Sequence, residues 1–420
     1  MLYDFIKALD KQYSCNGSEE LEGIERQHYK FASSTRKRAL RAIDIFEAYG
    51  FKMNGLKILD VGCAHGGFSI ETAKRGAISY GIEVDEEYYN LACLNNLNEI
   101  YPNGECSLFL LDITSPEFVE TIPHDFFDLI IVNDVFEHVY DTVQLLNNLS
   151  VVAEENAAIY FAIPNGTCMK FVEKEGHTGI CGLSLVKPLS WSLILKEEIR
   201  NIYYRQFDYY RALFNYYGFS EINKINYPGF LVGQDAKDIM DIKHKRMYDA
   251  INETISVLPE KYAIELNNSI DIFDRQYEFD ASSYTACEMA YKYDTEFWNG
   301  FAHKGKQDLL PPSYVSEWRS DHDMPPGISF QAYRENSKLS IDVNISNMYE
   351  NCCFDLRLRM VGQRSSISCS DYRKYESVLS YGWELISSGM YEVLIVIKDL
   401  DSNKTNLWSK PLYYSGWEKE

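Results

Sequence analysis

The sequence contains no apolar run long enough to span a membrane, no Cys-x-x-Cys pair and little positive charge, and each absence removes a class of function. A membrane helix needs about 20 consecutive apolar residues, so membrane insertion is not expected. The ten cysteines (15, 63, 93, 106, 168, 181, 287, 352, 353 and 369) lack the spacing of a zinc site. The first residues, Met-Leu-Tyr-Asp-Phe-Ile-Lys-Ala-Leu-Asp, carry charge every few positions and offer no continuous apolar core for an export signal. Reduced thiols and a cytoplasmic location are the expectation. The balance of 41 Lys+Arg against 62 Asp+Glu gives a net charge of -21. A surface this acidic repels phosphate backbones and anionic lipid heads, so neither nucleic acid nor a membrane surface is an expected partner. The densest basic run, Arg36, Lys37, Arg38 and Arg41, reads as the solvated face of a helix.

What is present is the composition of a globular protein, with 46% hydrophobic residues in 420. At roughly 150 residues per domain this length predicts two or three domains. Residues 1–55 read as helical, with Ala39, Ala42, Ile43, Phe46 and Tyr49 on one stripe and Gly50 as a stop. Within 56–234 short apolar strands alternate with amphipathic helices. The strands are read at Lys57–Val61, Ile78–Glu83, Ser107–Leu111, Phe127–Val132, Ala157–Ile163 and Ser220–Ile225. That rhythm predicts an α/β fold with a Rossmann-like, doubly wound, mostly parallel sheet. Residues 165–200 break the rhythm and would lie over the carboxyl ends of the strands as an acceptor lid. Residues 235–306 read as mostly helical, and the helices of 235–303 are a candidate oligomerisation surface. The proline-rich 307–327 reads as a linker, and 328–420 as a C-terminal all-β sandwich of short alternating strands.

The chemistry is concentrated in Ile58-Leu-Asp-Val-Gly-Cys-Ala-His-Gly-Gly-Phe-Ser69. A strand ending in Asp60, followed by Gly62, Ala64 and Gly66, lets the backbone turn tightly into a helix and approach a nucleotide-like ligand. Asp60, two residues before the first glycine, suits a ligand with a positive amino-acid moiety better than a pyrophosphate. The second strand ends in Glu83, where an acid hydrogen-bonds ribose hydroxyls in such folds. The third is followed by Asp112, placed to accept from an adenine amino group, and the fourth ends Val-Asn133-Asp134-Val-Phe-Glu137-His138. Four successive strand ends thus bring polar groups to one edge of the sheet. Taken singly, each glycine could be a turn former and each acid a helix cap.

These phrases, with Asp-Val-Phe-Glu-His-Val-Tyr-Asp, Tyr-Phe-Ala-Ile-Pro-Asn-Gly and Tyr-Tyr-Gly-Phe-Ser, resemble class I S-adenosylmethionine-dependent methyltransferases over residues 56–225. The similarity is closest to the group of ubiquinone-biosynthesis and glycan O-methyltransferases. The resemblance implies S-adenosylmethionine as cofactor, with Asp60, Gly62, Ala64 and Gly66 at its methionine end. It places Glu83 at the ribose, Asp112 and Ile113 at the adenine and Asn133 beside the sulfonium. Ala64 stands where the family's middle glycine is usual.

The fourth strand does not end in the Asn/Asp-Pro-Pro-Tyr/Phe signature of adenine methylation, and no Pro-Cys dipeptide supplies a cytosine-attacking thiolate. A hydroxyl acceptor remains, on a glycan, a polyhydroxylated small molecule or a phenol of quinone type. His138 is then the best-placed base, because imidazole titrates near neutral pH; a helix-capping role is its alternative. In a second reading, Asp134, Glu137, His138 and His177 form the acid, acid, His, His cluster that some similar methyltransferases use to hold a divalent ion such as magnesium; its alternative is an N-capping Asp134 with a surface Glu137. The catalytic candidates are therefore His138, Asp134 and His177. Tyrosines 203, 204, 209, 210, 216 and 217 would face the acceptor. The competing expectation from a different class is a non-catalytic scaffold that keeps the fold and binds a partner.

Overall fold

The computed structural model describes residues 2–194, 202–228, 234–305, 327–335, 338–360, 368–369, 372–384, 389–401 and 405–414. The chain divides into two compact units. One comprises Met1–Arg41, Lys52–Lys224 and Val232–Gln307, the other Ala42–Phe51, Ile225–Leu231 and Asp308–Glu420. The residues expected to form the linker lie outside the described part, except Gly327.

The first unit is built on a seven-stranded sheet: β1 (Lys57–Val61), β2 (Ile78–Glu83), β3 (Glu105–Leu110), β4 (Phe127–Asn133), β5 (Ala153–Pro164), β6 (Glu221–Lys224) and β7 (Phe297–His303), in the order β3-β2-β1-β4-β5-β7-β6. Strands β1 to β5 pair in parallel, and β7 runs antiparallel to both of its neighbours. The expected α/β, mostly parallel architecture is what the chain forms. Ile58, Leu59, Leu129, Ile130, Ile131 and Val132 are fully or almost fully buried, because helices cover both faces of a parallel sheet.

The helices are α1 (Leu2–Gln12), α2 (Gly23–Ser33), α3 (Thr35–Tyr49), α4 (Gly67–Lys74), α5 (Glu86–Asn96), α6 (Pro116–Thr121) and α7 (Thr142–Val152), followed by α8 (Met169–Glu173) and α9 (Phe207–Tyr216). Asp85 caps α5 by accepting from the backbone N–H groups of Glu87 and Tyr88, which starts that helix immediately after β2. Helices α1 and α2 pack on α5 through Phe5, Leu9, Tyr29 and Leu91.

Between β6 and β7 come α10 (Gln234–Ile255), α11 (Glu260–Ser283) and α12 (Ala286–Tyr293), the last started by a reciprocal capping box between Thr285 and Glu288. The stretch expected to be helical as far as residue 303 therefore ends in a strand. β7 is buried along nearly its whole length, so it shows no alternation, and Asn299 and Gly300 are poor strand formers. A side chain at 300 would lie 2.4 Å from the Asn223 carbonyl and 2.6 Å from the Phe161 ring, so close packing between β5 and β6 requires the glycine.

In the second unit Ile328–Glu335, Lys338–Ile345 and Val378–Glu384 form a three-stranded antiparallel sheet. Cys352–Met360, Gly389–Asp399 and Thr405–Tyr414, with two short strands, form a five-stranded one. Alternate residues Leu339, Ile341 and Val343 of one sheet share a core with Phe354, Leu356, Val393 and Ile395 of the other, as in a sandwich.

Candidate active site

The order of the sheet reverses between β1 and β4, so their carboxyl ends open a crevice at the topological switch point. β1 delivers Asp60 to it and β4 delivers Asn133 and Asp134. Asp60 is 2% exposed, and its Oδ2 accepts from the Ser69 N–H (3.1 Å) and hydroxyl (2.7 Å). Burial pushes its carboxyl up to about 7, against the pull of the Ser69 bonds. The connection to α4 turns through left-handed conformations at Gly62 (φ 63°), Ala64 (φ 46°) and Gly66 (φ 73°). Gly62 is also close-packed, since a Cβ there would lie 2.8 Å from Val135. Ala64 adopts the strained conformation in place of a glycine and donates its N–H to Glu83 Oε2 at 2.8 Å.

Glu83 is buried at the end of β2, with Oε1 accepting from the N–H groups of Val84 (2.9 Å) and Asp85 (3.0 Å). Three of its roughly four acceptor positions are thus filled by backbone. Asp112 is exposed beyond β3 and holds its own loop, accepting at Oδ1 from the Thr114 N–H and hydroxyl, both at 2.8 Å. The next residue, Ile113, is buried, and its carbonyl accepts from Asn148.

The four residues proposed as cation ligands divide three to one. Ligand atoms of Glu137, His138 and His177 lie within 4.8 Å of one another, and the two imidazoles cross at 85° with centroids 5.1 Å apart. Asp134 stands outside this group. Its backbone is left-handed (φ 54°), its Oδ2 accepts from Asn133 and its buried Oδ1 has no hydrogen-bond partner. Glu137 is 1% exposed and neither of its oxygens has a hydrogen-bond partner, with His138 Nε2 lying 3.5 Å from its Oε1. Burial, then the neighbouring Asp134, push the Glu137 carboxyl well above its ordinary range.

His177 reaches the cluster from the segment after α8. Its Nδ1 lies 2.8 Å from Glu175 Oε1 and 3.1 Å from the Tyr204 hydroxyl, which is itself closely bonded to the same carboxylate oxygen. Although burial raises it, these bonds hold Glu175 down to about 2. Tyr204 is carried by a segment whose preceding residue, Tyr203, donates its N–H to the Glu137 carbonyl at 2.6 Å.

Arg38 is a site residue that sequence reading missed. It lies four residues before Ala42, hence on the buried stripe of α3 rather than on a solvated face. Its guanidinium stacks 3.4 Å over Phe31, and its Nε is buried without a hydrogen-bond partner. Burial lowers it to about 10, opposed by the carboxylates of Asp134 and Asp60. Arg36 is not solvated either, since it bridges Glu71 (2.6 Å) and Glu99 (2.7 Å). The six tyrosines also separate. Tyr210 is core, Tyr209 bonds Thr142, Tyr216 and Tyr217 pack on each other, Tyr204 belongs to the His177 network, and Tyr203 meets the exposed ring of Tyr140 at 5.4 Å.

The stretch that carries this glycine-turned crevice falls within residues 27–224, which match a family model described as a methyltransferase domain. The segment so matched is a little under half of the chain. Among solved structures, a phosphoethanolamine N-methyltransferase 2 of Haemonchus contortus, bound to phosphomonomethylethanolamine and S-adenosylhomocysteine, is 17% identical with a TM-score of 0.38. The match covers 64% of this chain and 53% of that one, about half its length. The magnesium protoporphyrin IX methyltransferase of Synechocystis with bound S-adenosylmethionine is 14% identical over 47% of this chain and 74% of that one, with a TM-score of 0.32. A S-adenosylmethionine-dependent methyltransferase of Aquifex aeolicus is 20% identical over 37% and 76%, with a TM-score of 0.28. The methyltransferase domain as matched ends at β6, so α10 to α12 and β7 lie beyond it while completing its sheet.

Proposed function

We propose that the chain is an S-adenosylmethionine-dependent O-methyltransferase that acts on a hydroxyl of a glycan or polyhydroxylated small molecule with the help of a divalent cation. The observation that carries the cation is Glu137, a buried carboxylate with neither oxygen hydrogen-bonded, beside two imidazoles. An unpaired buried charge is costly, and such groups are retained where they meet a cation or stay protonated. Ligands roughly 2.1 Å from a common ion lie at most about 4.2 Å apart, so three donors already within 4.8 Å need little adjustment. Glu137, His138 and His177 would hold the ion. When bound, it would lower the pKa of the acceptor hydroxyl and fix its oxygen.

The chain's own groups would do the rest. Asp60 would accept from the cofactor's ammonium and Arg38 would face its carboxylate, each buried group gaining a further opposite charge. Glu83 retains one acceptor position for a ribose hydroxyl, and Asp112 and Ile113 would border the adenine. Asn133, at the end of β4, would stand beside the sulfonium. The methyl leaves sulfur as the new carbon–oxygen bond forms, and the hydroxyl proton passes to water or to a neighbouring base. Holding the two partners in line is the larger part of the catalysis. The ring of Tyr140, 77% exposed and crossed by Tyr203, sits two residues from His138 and gives a ring-shaped acceptor a face to stack on.

Radiolabelled methyl transfer to a panel of glycosides and phenols, with chelator and with added magnesium or manganese, tests the reading. Transfer to a sugar hydroxyl that chelator abolishes and Glu137→Ala reduces at least a hundredfold is the expected result. Transfer confined to phenols removes the glycan assignment. Failure to bind S-adenosylmethionine at all returns the chain to the scaffold class.

A further inference from the structure

We infer that Glu175 and Tyr204 are positioning residues that lock His177 in the tautomer protonated at Nδ1, which leaves the lone pair on Nε2 as the ring's only free donor to the cluster with Glu137 and His138. Glu175 is 1% exposed and its carboxylate is met by donors at both oxygens. Its Oε2 accepts from the His177 N–H (3.0 Å), the Thr178 N–H (2.7 Å) and the Thr178 hydroxyl (2.8 Å). Its Oε1 accepts from the Tyr204 hydroxyl and faces His177 Nδ1 at 2.8 Å. A carboxylate surrounded in this way has no proton to give. Nδ1 must therefore be the donor, and in the neutral ring the second nitrogen carries the lone pair.

Tyr204 makes the arrangement rigid by tying up the same oxygen. Its ring fits only because residue 166 is glycine, where a Cβ would lie 2.5 Å from the ring's Cγ. Three segments distant in sequence, at 166, 175–178 and 204, thus fix one nitrogen. The consequence for cation affinity rests on the site proposed above, whereas the tautomer itself does not.

The pair of variants that tests this are Glu175→Gln and Tyr204→Phe in the full-length chain, with ¹⁵N-histidine labelling and His177→Gln to assign the signal. In wild type without metal, long-range ¹H–¹⁵N spectra at pH 8 should show His177 protonated at Nδ1. In Glu175→Gln the amide oxygen is retained by the Thr178 donors, which turns the amide nitrogen toward the ring. Nδ1 must then accept, and the proton moves to Nε2. Cobalt titration by calorimetry should show affinity falling 10- to 100-fold in Glu175→Gln, the usual cost of losing a group that orients a ligand. The loss should be smaller in Tyr204→Phe, and S-adenosylmethionine binding should be unchanged in both. Protonation at Nε2 in wild type, or a tautomer that Glu175→Gln leaves unmoved, overturns the inference. A locked tautomer in a wild-type protein that binds no cobalt supports the lock and instead overturns the cation site.

Discussion

At the scale of the residue, the crevice keeps charge where charge is costly, and Asp60 shows how that can be read out. Its carboxyl titrates near 7 in the folded chain, against an ordinary 3.8. Between those values the native state holds a proton that the unfolded state has released. Stability contributed by this group is therefore greatest at the acid end of the window and is lost as pH rises to about 7. His65 and His303, both lowered to about 4 by burial, act in the opposite sense and lose their contribution on acidification. Subtracting wild type from Asp60→Asn cancels the histidines. The asparagine variant should gain relative stability from pH 5 to pH 7, by up to roughly 1 kcal/mol per unit, and the difference should then level off. Denaturant unfolding of the cofactor-free protein measures it, and a constant difference across the range would show an ordinary aspartate. Cofactor binding should run the other way, because an ammonium ligand favours the ionised carboxylate, so Asp60→Asn is expected to bind S-adenosylmethionine at least tenfold more weakly.

At the scale of the element, α3 and α4 meet closely where Gly67 abuts Thr35. Gly67 opens α4, and a Cβ there would lie 2.4 Å from the Thr35 hydroxyl and 2.7 Å from the Thr35 carbonyl. Gly67→Ala must displace the first turn of α3, one turn before Arg38. It should cost about 1–3 kcal/mol in denaturant unfolding. It should also weaken S-adenosylmethionine binding, because Arg38 moves with its helix; an unchanged dissociation constant would separate Arg38 from the cofactor. The same elements show what a linear reading can resolve. β1 and β2 were legible to the residue because each is a short, mostly apolar run carrying an acid at or next to its last residue, and the glycine turn between β1 and α4 is local. β7 was not, since a strand buried on both faces loses its alternation. Arg38 was misread because helical periodicity locates a stripe without saying that Asp60 and Asp134 lie opposite it. Glu175 and Tyr204, 29 positions apart, meet only through tertiary packing, and no spacing rule joins them.

At the scale of the whole molecule, the surplus of acid and the two cores are separate matters. Asp60, Glu83, Glu137 and Glu175 account for four of the 62 acidic residues and are buried, so the net charge of -21 is mostly carried elsewhere, where it favours solubility. The cores make a sharper claim. The sandwich has its own set of buried residues, from Leu339 and Ile341 to Ile395 and Ile397, just as the α/β unit has the two-sided burial of its parallel sheet. Each should therefore unfold with its own heat absorption in calorimetry. S-adenosylhomocysteine, binding only the folded crevice, should stabilise one transition by about 2.7 kcal/mol at a hundred times its dissociation constant. Ile341→Ala removes a fully buried side chain and should lower the other by about 2–5 kcal/mol. If ligand and substitution move a single shared transition, the two cores fold as one cooperative unit, and the sandwich would then have to be counted as part of what holds the crevice in shape.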